Sequence, residues 1–304
     1  MNSYYFKEIL KCEMCGSPNV DHKVLGQRLN RSQGFNPKKK TGISVAIQKC
    51  ENCKLIYSNP QPIPFDIHDH YGIPPEDYWK PDYFKWNSNY FSTQIHTVKS
   101  LLNFKKGMKA LDIGAGIGKA MLSLENAGFE TYGLEPSEPF YERALSEMKI
   151  DGDKLSLGKI EELDYEFGYF DFISFGAVFE HLYEPSKCLD KALRWLKKDG
   201  IIHIEVPSSK WLLARLINAY YKMIGTNFVT NLSPMHTPYH LYEFDINTFR
   251  KISYSKSVTI DKYYYSVCNI FYFPKFLHPL LSMYMKKTNT GMQLTLYLRK
   301  VTES

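Results

Sequence analysis

One run of residues constrains the fold more than any other: Ala110-Leu111-Asp112-Ile113-Gly114-Ala115-Gly116-Ile117-Gly118. Its first half reads as a short buried strand and its second half as a glycine-rich turn. Met121, Leu122 and Leu124 then supply the apolar face of a helix that ends at Gly128. The rhythm repeats. Glu130-Thr131-Tyr132-Gly133-Leu134 reads as a strand before a helix from about Pro139 to Met148. Phe170-Asp171-Phe172-Ile173-Ser174 precedes a helix opening at Pro185-Ser186 and stopping at Gly200, and Ile201 to Val206 is a further strand. Strands alternating with helices of this length imply a parallel sheet covered on both faces. Near the C-terminus Val258-Thr259-Ile260 and Leu294 to Leu298 lack a crossover helix, so an antiparallel edge pair is expected.

The first sixty residues have another character. Cys12-Glu13-Met14-Cys15 and Cys50-Glu51-Asn52-Cys53 are two CxxC pairs, able to offer four thiolates to one tetrahedral Zn²⁺. Gly16 suits the left-handed backbone after such a turn. The 34-residue spacer is long for a short ribbon and is read as an extended hairpin, because Ile43 to Ile47 alternates like a strand into the second pair. Disulfides or a redox CxxC are the alternatives; the first needs an oxidising compartment, and the second normally occurs once, beside a βαβ unit. Cys188 and Cys268 are expected to be buried thiols. Residues 1–60 hold ten Lys or Arg against four acids, while the other 244 residues balance at 28 against 28, so the whole net charge of +6 sits here. Such asymmetry points to an anionic partner; Lys38-Lys39-Lys40 also read as a solvated loop tip. Pro60, Pro62 and Pro64 mark a boundary.

Ligands of an open parallel sheet sit beyond the carboxyl ends of its strands. The turn after Ile113 lacks the G-x-x-x-x-G-K-[ST] of a phosphate loop, and its G-x-G-x-G departs from the dinucleotide pattern. Asp112, immediately before the glycines, would repel a pyrophosphate and attract an ammonium group. A nucleoside bearing an ammonium and a sulfonium but no phosphate is S-adenosylmethionine. Glu135, ending the second strand, is placed for ribose hydroxyls.

The ordered set Leu111 to Gly118, Gly133-Leu134-Glu135-Pro136, Phe170-Asp171-Phe172-Ile173, Val178-Phe179-Glu180-His181-Leu182, Leu196 to Gly200 and Ile204-Glu205-Val206-Pro207 resembles class I S-adenosylmethionine-dependent methyltransferases over about residues 95–300. With the cysteine-rich start, the chain is similar to zinc-bearing methyltransferases of deoxysugar and polysaccharide pathways, and the further C-terminal domain of the large deoxysugar C-methyltransferases is not expected. The expected fold class is α/β: a Rossmann-like doubly wound, mostly parallel sheet with an antiparallel C-terminal edge, plus a small N-terminal zinc ribbon. The expected division is 1–60 for the ribbon, 61–94 for a linker and aromatic-rich cap, and 95–304 for the methyltransferase domain, with a lid at about 208–240. The resemblance implies that Gly114, Gly116 and Gly118 admit the cofactor to the backbone. It also implies that Asp112, Glu135 and Pro136 hold the cofactor, that Ile160 and Glu161 border the adenine, and that Phe175 lies beside the methionyl arm.

The acceptor is less constrained. Nucleobase amino-methyltransferases usually carry (Asp/Asn/Ser)-Pro-Pro-Tyr after the fourth strand, where this chain has Ser174-Phe175-Gly176-Ala177. His181, His240 and, more weakly, His236 are candidates for a general base, since imidazole titrates near neutral pH. The rings of Tyr71, Tyr78, Trp79, Tyr83, Phe84, Trp86, Tyr90 and Phe91 suit either a planar ligand or a packed cap. Trp211 to Ile224 reads as an apolar helix: a lid, a dimer contact or, with Lys210, Arg215 and Lys222, a membrane-surface segment. The expected activity is O-methylation of a small molecule, a nucleotide-linked sugar or glycan precursor, with C-methylation of a deoxysugar and RNA binding or methylation as alternatives. No run approaches the ~18 apolar residues of a membrane span, so a cytoplasmic location is expected.

Overall fold

The computed structural model of the chain describes residues 4–31, 40–66, 75–78, 81–230, 232–235, 238–270 and 273–301. The cysteine-bearing start folds into β1 (Tyr4–Lys7), β2 (His22–Arg31), β3 (Lys40–Cys50), β4 (Ile56–Ser58) and β5 (Gln61–Pro64). Strands β2, β3 and β4 pair antiparallel in chain order, and β1 pairs with β5. The prolines read as punctuation therefore lie partly inside a strand. Pro62 and Pro64 sit on a two-stranded ribbon, where a missing N–H is tolerated at an edge.

A helical turn at Pro75–Tyr78 precedes α1 (Ser92–Leu102), and the alternating region follows: β6 (Lys109–Ile113), α2 (Lys119–Asn126), β7 (Glu130–Glu135), α3 (Glu138–Ser146), β8 (Leu155–Leu157), β9 (Phe170–Gly176), α4 (Pro185–Trp195) and β10 (Leu196–Pro207). After it come α5 (Leu212–Met223), β11 (Tyr242–Glu243), α6 (Ile246–Ser253), β12 (Val258–Ser266), α7 (His278–Thr288) and β13 (Gln293–Lys300). The large sheet runs β12-β13-β10-β9-β6-β7-β8. Its five central and outer strands from β10 to β8 are parallel, and β13 is antiparallel to both neighbours. This is the expected Rossmann-like, mostly parallel sheet with an antiparallel edge.

Both faces of the sheet are covered, as the near-continuous apolar strands require: Phe170, Phe172, Ile173 and Phe175 in β9 are all fully buried. Helix α4 stops at Trp195, five residues before Gly200, because Leu196 onward already pairs with β9 across a bulge between Leu196 and Ile201. Strand order reverses between β6 and β9, which opens a crevice at their carboxyl ends.

The N-terminal strands are joined to this domain by a short extra pairing. β11 adds to β4, with Tyr242 opposite Tyr57 and Glu243 opposite Ile56. Cys12, Cys50, Cys53, Leu55 and Tyr57 belong to the same apolar cluster as Phe175, Phe179, Tyr242 and Phe244. One core thus runs from the cysteines to the sheet. Among the described residues, no helix is long and apolar enough to cross a membrane.

Candidate active site and cysteine cluster

A cavity of about 650 Å³ opens over the carboxyl ends of β6, β7 and β9. Asp112, Gly114, Gly116, Glu135, Pro136, Ile160 and Glu161 line it, and so do His181 and His240. Residues as far apart in sequence as Asp112 and His240 are thereby brought to one wall, cofactor candidates over β6 and β7 and histidines beyond β9. His236 lies outside the described residues, as do Lys38, Lys39, Tyr71 and Trp79; of Lys40 and Tyr78 only the backbone is described.

Two buried carboxyls dominate the β6–β7 side. Asp112 is 5% and Glu135 6% exposed. Burial raises each to about 7, with Ser174 bonded to Asp112 pulling the other way. Glu135 Oε2 accepts from Gly116 N at 2.7 Å and Oε1 from Ser137 N at 2.8 Å, so the carboxylate ties the glycine turn to the end of β7. Among the described residues neither group is ion-paired to a cation, and a carboxylate oxygen retains a second lone pair. The wall therefore fits a ligand that brings positive charge and hydroxyl donors. It fits S-adenosylmethionine and argues against a pyrophosphate.

Two expected residues stand elsewhere. Phe175 does not reach the cavity. It is fully buried and packs edge-on against Phe179 at 5.3 Å, while the chain exposes Gly176 and Ala177 to the cavity instead. Gly118 is also absent from the lining. It caps α2 at φ +80°, and a Cβ there would meet Ile150 Cγ1 at 2.6 Å, so its demand is helix packing. Gly114 combines both demands: it lines the cavity, has φ +71°, and a Cβ would stand 2.3 Å from Val178 Cγ2. Gly114→Ala should cost about 2–4 kcal/mol in urea unfolding, from left-handed strain plus overpacking. Gly107→Ala, at φ +87° in open space, should cost only about 1–2 kcal/mol from strain alone.

On the β9–β10 side the buried Glu180 faces His240, with Oε1 3.7 Å from Nε2. Its carboxyl is 1% exposed, and burial raises it to about 8. His181 Nδ1 lies 3.3 Å from the Tyr239 carbonyl, and burial lowers its pKa to about 4. Glu180, His181 and His240 bring their ligand-type atoms within 4.8 Å of one another. Sequence reading missed three further wall residues: Glu205, Gln94 and Lys119. Glu205 Oε2 accepts from Gln94 Nε2 at 3.2 Å and Thr295 Oγ1 at 3.3 Å. An acid inside the apolar strand Ile201 to Val206 was the available signal. Lys119 Nζ donates to the Tyr83 carbonyl at 2.9 Å and sits over the Tyr83 and Tyr90 rings, fastening the aromatic segment 81–91 onto α2. Tyr83, Tyr90 and Phe91 line the cavity, so that segment serves both as packed cap and as ligand wall.

The expected lid divides. Pro238 to Leu241 lines the cavity, but no residue of α5 does. Trp211, Leu213 and Ala214 instead pack with Val267 and Met285. Cys188 is buried, whereas Cys268 is exposed, its Sγ 3.4 Å from Gln293 Oε1, because it follows the end of β12.

The four paired cysteines converge. Their sulfurs all lie within 4.8 Å of one another, with Cys12–Cys53 at 3.5 Å and Cys15–Cys50 at 3.7 Å. A disulfide would need about 2.05 Å. Thiolates at ~2.3 Å from a tetrahedral zinc stand about 3.8 Å apart, so the set fits the ion. Each pair sits on the same turn: Gly16 N donates to Cys12 O at 2.9 Å and Lys54 N to Cys50 O at 2.8 Å. Lys54 takes the left-handed backbone that Gly16 takes after the first pair.

Residues 111–204 match the family described as a methyltransferase domain. A ubiquinone biosynthesis O-methyltransferase of Bradyrhizobium diazoefficiens is 25% identical over 142 residues, 45% of this chain and 52% of that protein. The chain thus spans about half the length of that relative. An uncharacterized methyltransferase of Alkaliphilus oremlandii is 26% identical over 188 residues, 59% of this chain and 82% of the relative. The solved structure of a methyltransferase from Methanosarcina mazei covers 69% of this chain and 98% of its own at 15% identity and a TM-score of 0.49. The sequence match falls on β6, β7 and β9, the strands whose ends carry Asp112 and Glu135, so the part of the chain that matches a methyltransferase domain is the part that builds this wall of the cavity.

Proposed function

We propose that the chain methylates a hydroxyl oxygen of a small acceptor, a nucleotide-linked sugar or glycan precursor, and that zinc on Cys12, Cys15, Cys50 and Cys53 is structural. The observation that carries the oxygen chemistry is the buried Glu180 behind His240 on the cavity wall. When bound, S-adenosylmethionine supplies a methyl group on a sulfonium, open to in-line attack. Asp112 would hold the ammonium, Glu135 the ribose hydroxyls, and Pro136, Ile160 and Glu161 the base. His240, its Nε2 toward Glu180, would take the proton of the acceptor hydroxyl as that oxygen accepts the methyl group. Glu180 then balances the imidazolium. His181 positions this loop through Tyr239. The basic N-terminal segment supports an anionic acceptor by steering.

Glu180 stabilises imidazolium only as a carboxylate, the form that dominates above its pKa of about 8. Turnover should therefore climb with pH to a plateau above about 8. Glu180→Gln should remove that limb, and His240→Ala should lower kcat about 100-fold or more in a pH-resolved assay. The acceptor itself is tested by incubating nucleoside diphosphate sugars with labelled S-adenosylmethionine and reading methyl uptake by mass spectrometry. Uptake by RNA alone would overturn the small-molecule reading.

A further inference from the structure

Two of the helices that stand clear of the cavity, α5 and α7, share an unusual surface. α5 exposes Leu216, Tyr220 and Met223, followed by Ile224, at 44–80% exposure; α7 and the turn before it expose Phe276, Leu280, Met283 and Tyr284 at 52–78%. In each case the spacing is i, i+4, i+7 or i+8, one stripe of a helix. The first turn of α5 and the far side of α7 hold the helices together, through Leu213, Ala214 and Met285 in one cluster and Leu212 N bonded to Thr290 O at 3.1 Å. Beyond these contacts each helix still presents an apolar stripe to solvent. Exposed apolar surface of this extent calls for a partner.

Charge identifies the partner. No Asp or Glu occurs between Glu205 and Glu243, nor between Asp261 and Glu303. Arg215, Lys222, Lys275, Lys286 and Lys287 are exposed on these helices or the adjoining turn. Among the described residues none of the five pairs with a carboxylate. A second copy of the chain would bring this all-positive face against itself across a two-fold, where like charges repel. A nucleic acid would match the cations but would leave the apolar stripes in water. An interface of anionic phosphate headgroups over acyl chains satisfies both at once, cations against headgroups and Leu, Met, Tyr and Phe in the boundary beneath.

We infer that α5 and α7 form a peripheral docking face for an anionic lipid bilayer, holding the enzyme at a membrane surface. Neither helix reaches a spanning length, so the contact is interfacial and salt-sensitive.

Co-sedimentation of the full chain with vesicles of phosphatidylcholine alone, or with phosphatidylglycerol added, tests this. Binding should require phosphatidylglycerol, weaken as salt rises, and fall about tenfold or more in Lys286→Glu/Lys287→Glu and in Leu216→Glu/Met223→Glu. These positions lie outside the cavity, so S-adenosylmethionine affinity, measured on the same preparations, should stay unchanged and certify the fold. The inference is overturned if wild-type protein ignores phosphatidylglycerol vesicles at low salt. It is equally overturned if sedimentation equilibrium shows a dimer that the Leu216→Glu/Met223→Glu variant dissociates.

Discussion

Asp112→Asn should weaken S-adenosylmethionine binding by about 10- to 100-fold at pH 8, with little change in fold. The substitution keeps the size and the hydrogen-bonding shape of the side chain and removes its charge. A charge-assisted hydrogen bond contributes about 1.5–3 kcal/mol, which sets that range. The pH dependence is a sharper signature. Asp112 is held to about 7 by burial, so acidification below that value neutralises the carboxylate that would pair with the ligand's ammonium. Affinity should fall about tenfold for each pH unit below 7 for each such group, and Glu135, raised by the same cause, adds to the slope. Above about 8 the α-amino group of the ligand loses its own proton, and affinity falls again. Asp112→Asn should flatten the acid limb. Glu135→Ala is a different lesion, because it orphans Gly116 N and Ser137 N and should cost about 1–3 kcal/mol of stability together with binding.

The second large effect concerns the metal. Elemental analysis should find one zinc per chain, and Cys50→Ser or a strong chelator should remove it. The consequence should extend beyond the N-terminal strands. Thr248 Oγ1 donates to the Cys53 carbonyl at 2.9 Å, β4 pairs with β11, and Tyr242 Oη donates to Tyr183 O at 3.1 Å. Leu241, next to His240, bonds through its N–H to Glu180 O. The cysteine cluster is therefore a brace for the segment that carries His240. Structural zinc contributes about 10–16 kcal/mol of apparent binding energy in small modules, all of it available to folding. Its loss should lower the melting temperature by many degrees and methyl transfer about tenfold or more, while S-adenosylmethionine binding over β6 and β7 stays within about threefold. Intact disulfides and no zinc would overturn this account of the cluster.

Much of this organisation is legible in the chain before folding. The β6–turn–α2 run reads correctly because a buried strand, a glycine turn and a 3.6-residue period are all local signals. Asp112 and Glu135 are legible for the same reason: each is an acid at the end of an apolar strand. What escapes depends on partners distant in sequence. Strand β11 is two residues long and exists only because Tyr57 and Ile56 lie opposite. Strand β5 hides behind prolines that an edge tolerates. Phe175 is misplaced by sequence because β9 buries both faces, so alternation gives no hint of which side meets the cavity. Ala177, which does meet it, adopts φ +56°, a strained backbone that an alanine does not advertise. Glu205 and Gln94 meet only because α1 packs against β10 in three dimensions.

These elements converge on one claim: the crevice above β6 and β7 is built for a phosphate-free, positively charged nucleoside. Equilibrium titration of the wild-type chain with S-adenosylmethionine at pH 8 addresses it most directly, with an adenine dinucleotide as the competitor. Saturable binding of one equivalent per chain, unaffected by the dinucleotide and weakened on acidification below 7, is the predicted result. Absence of saturable binding, or preferential binding of the dinucleotide, would contradict it.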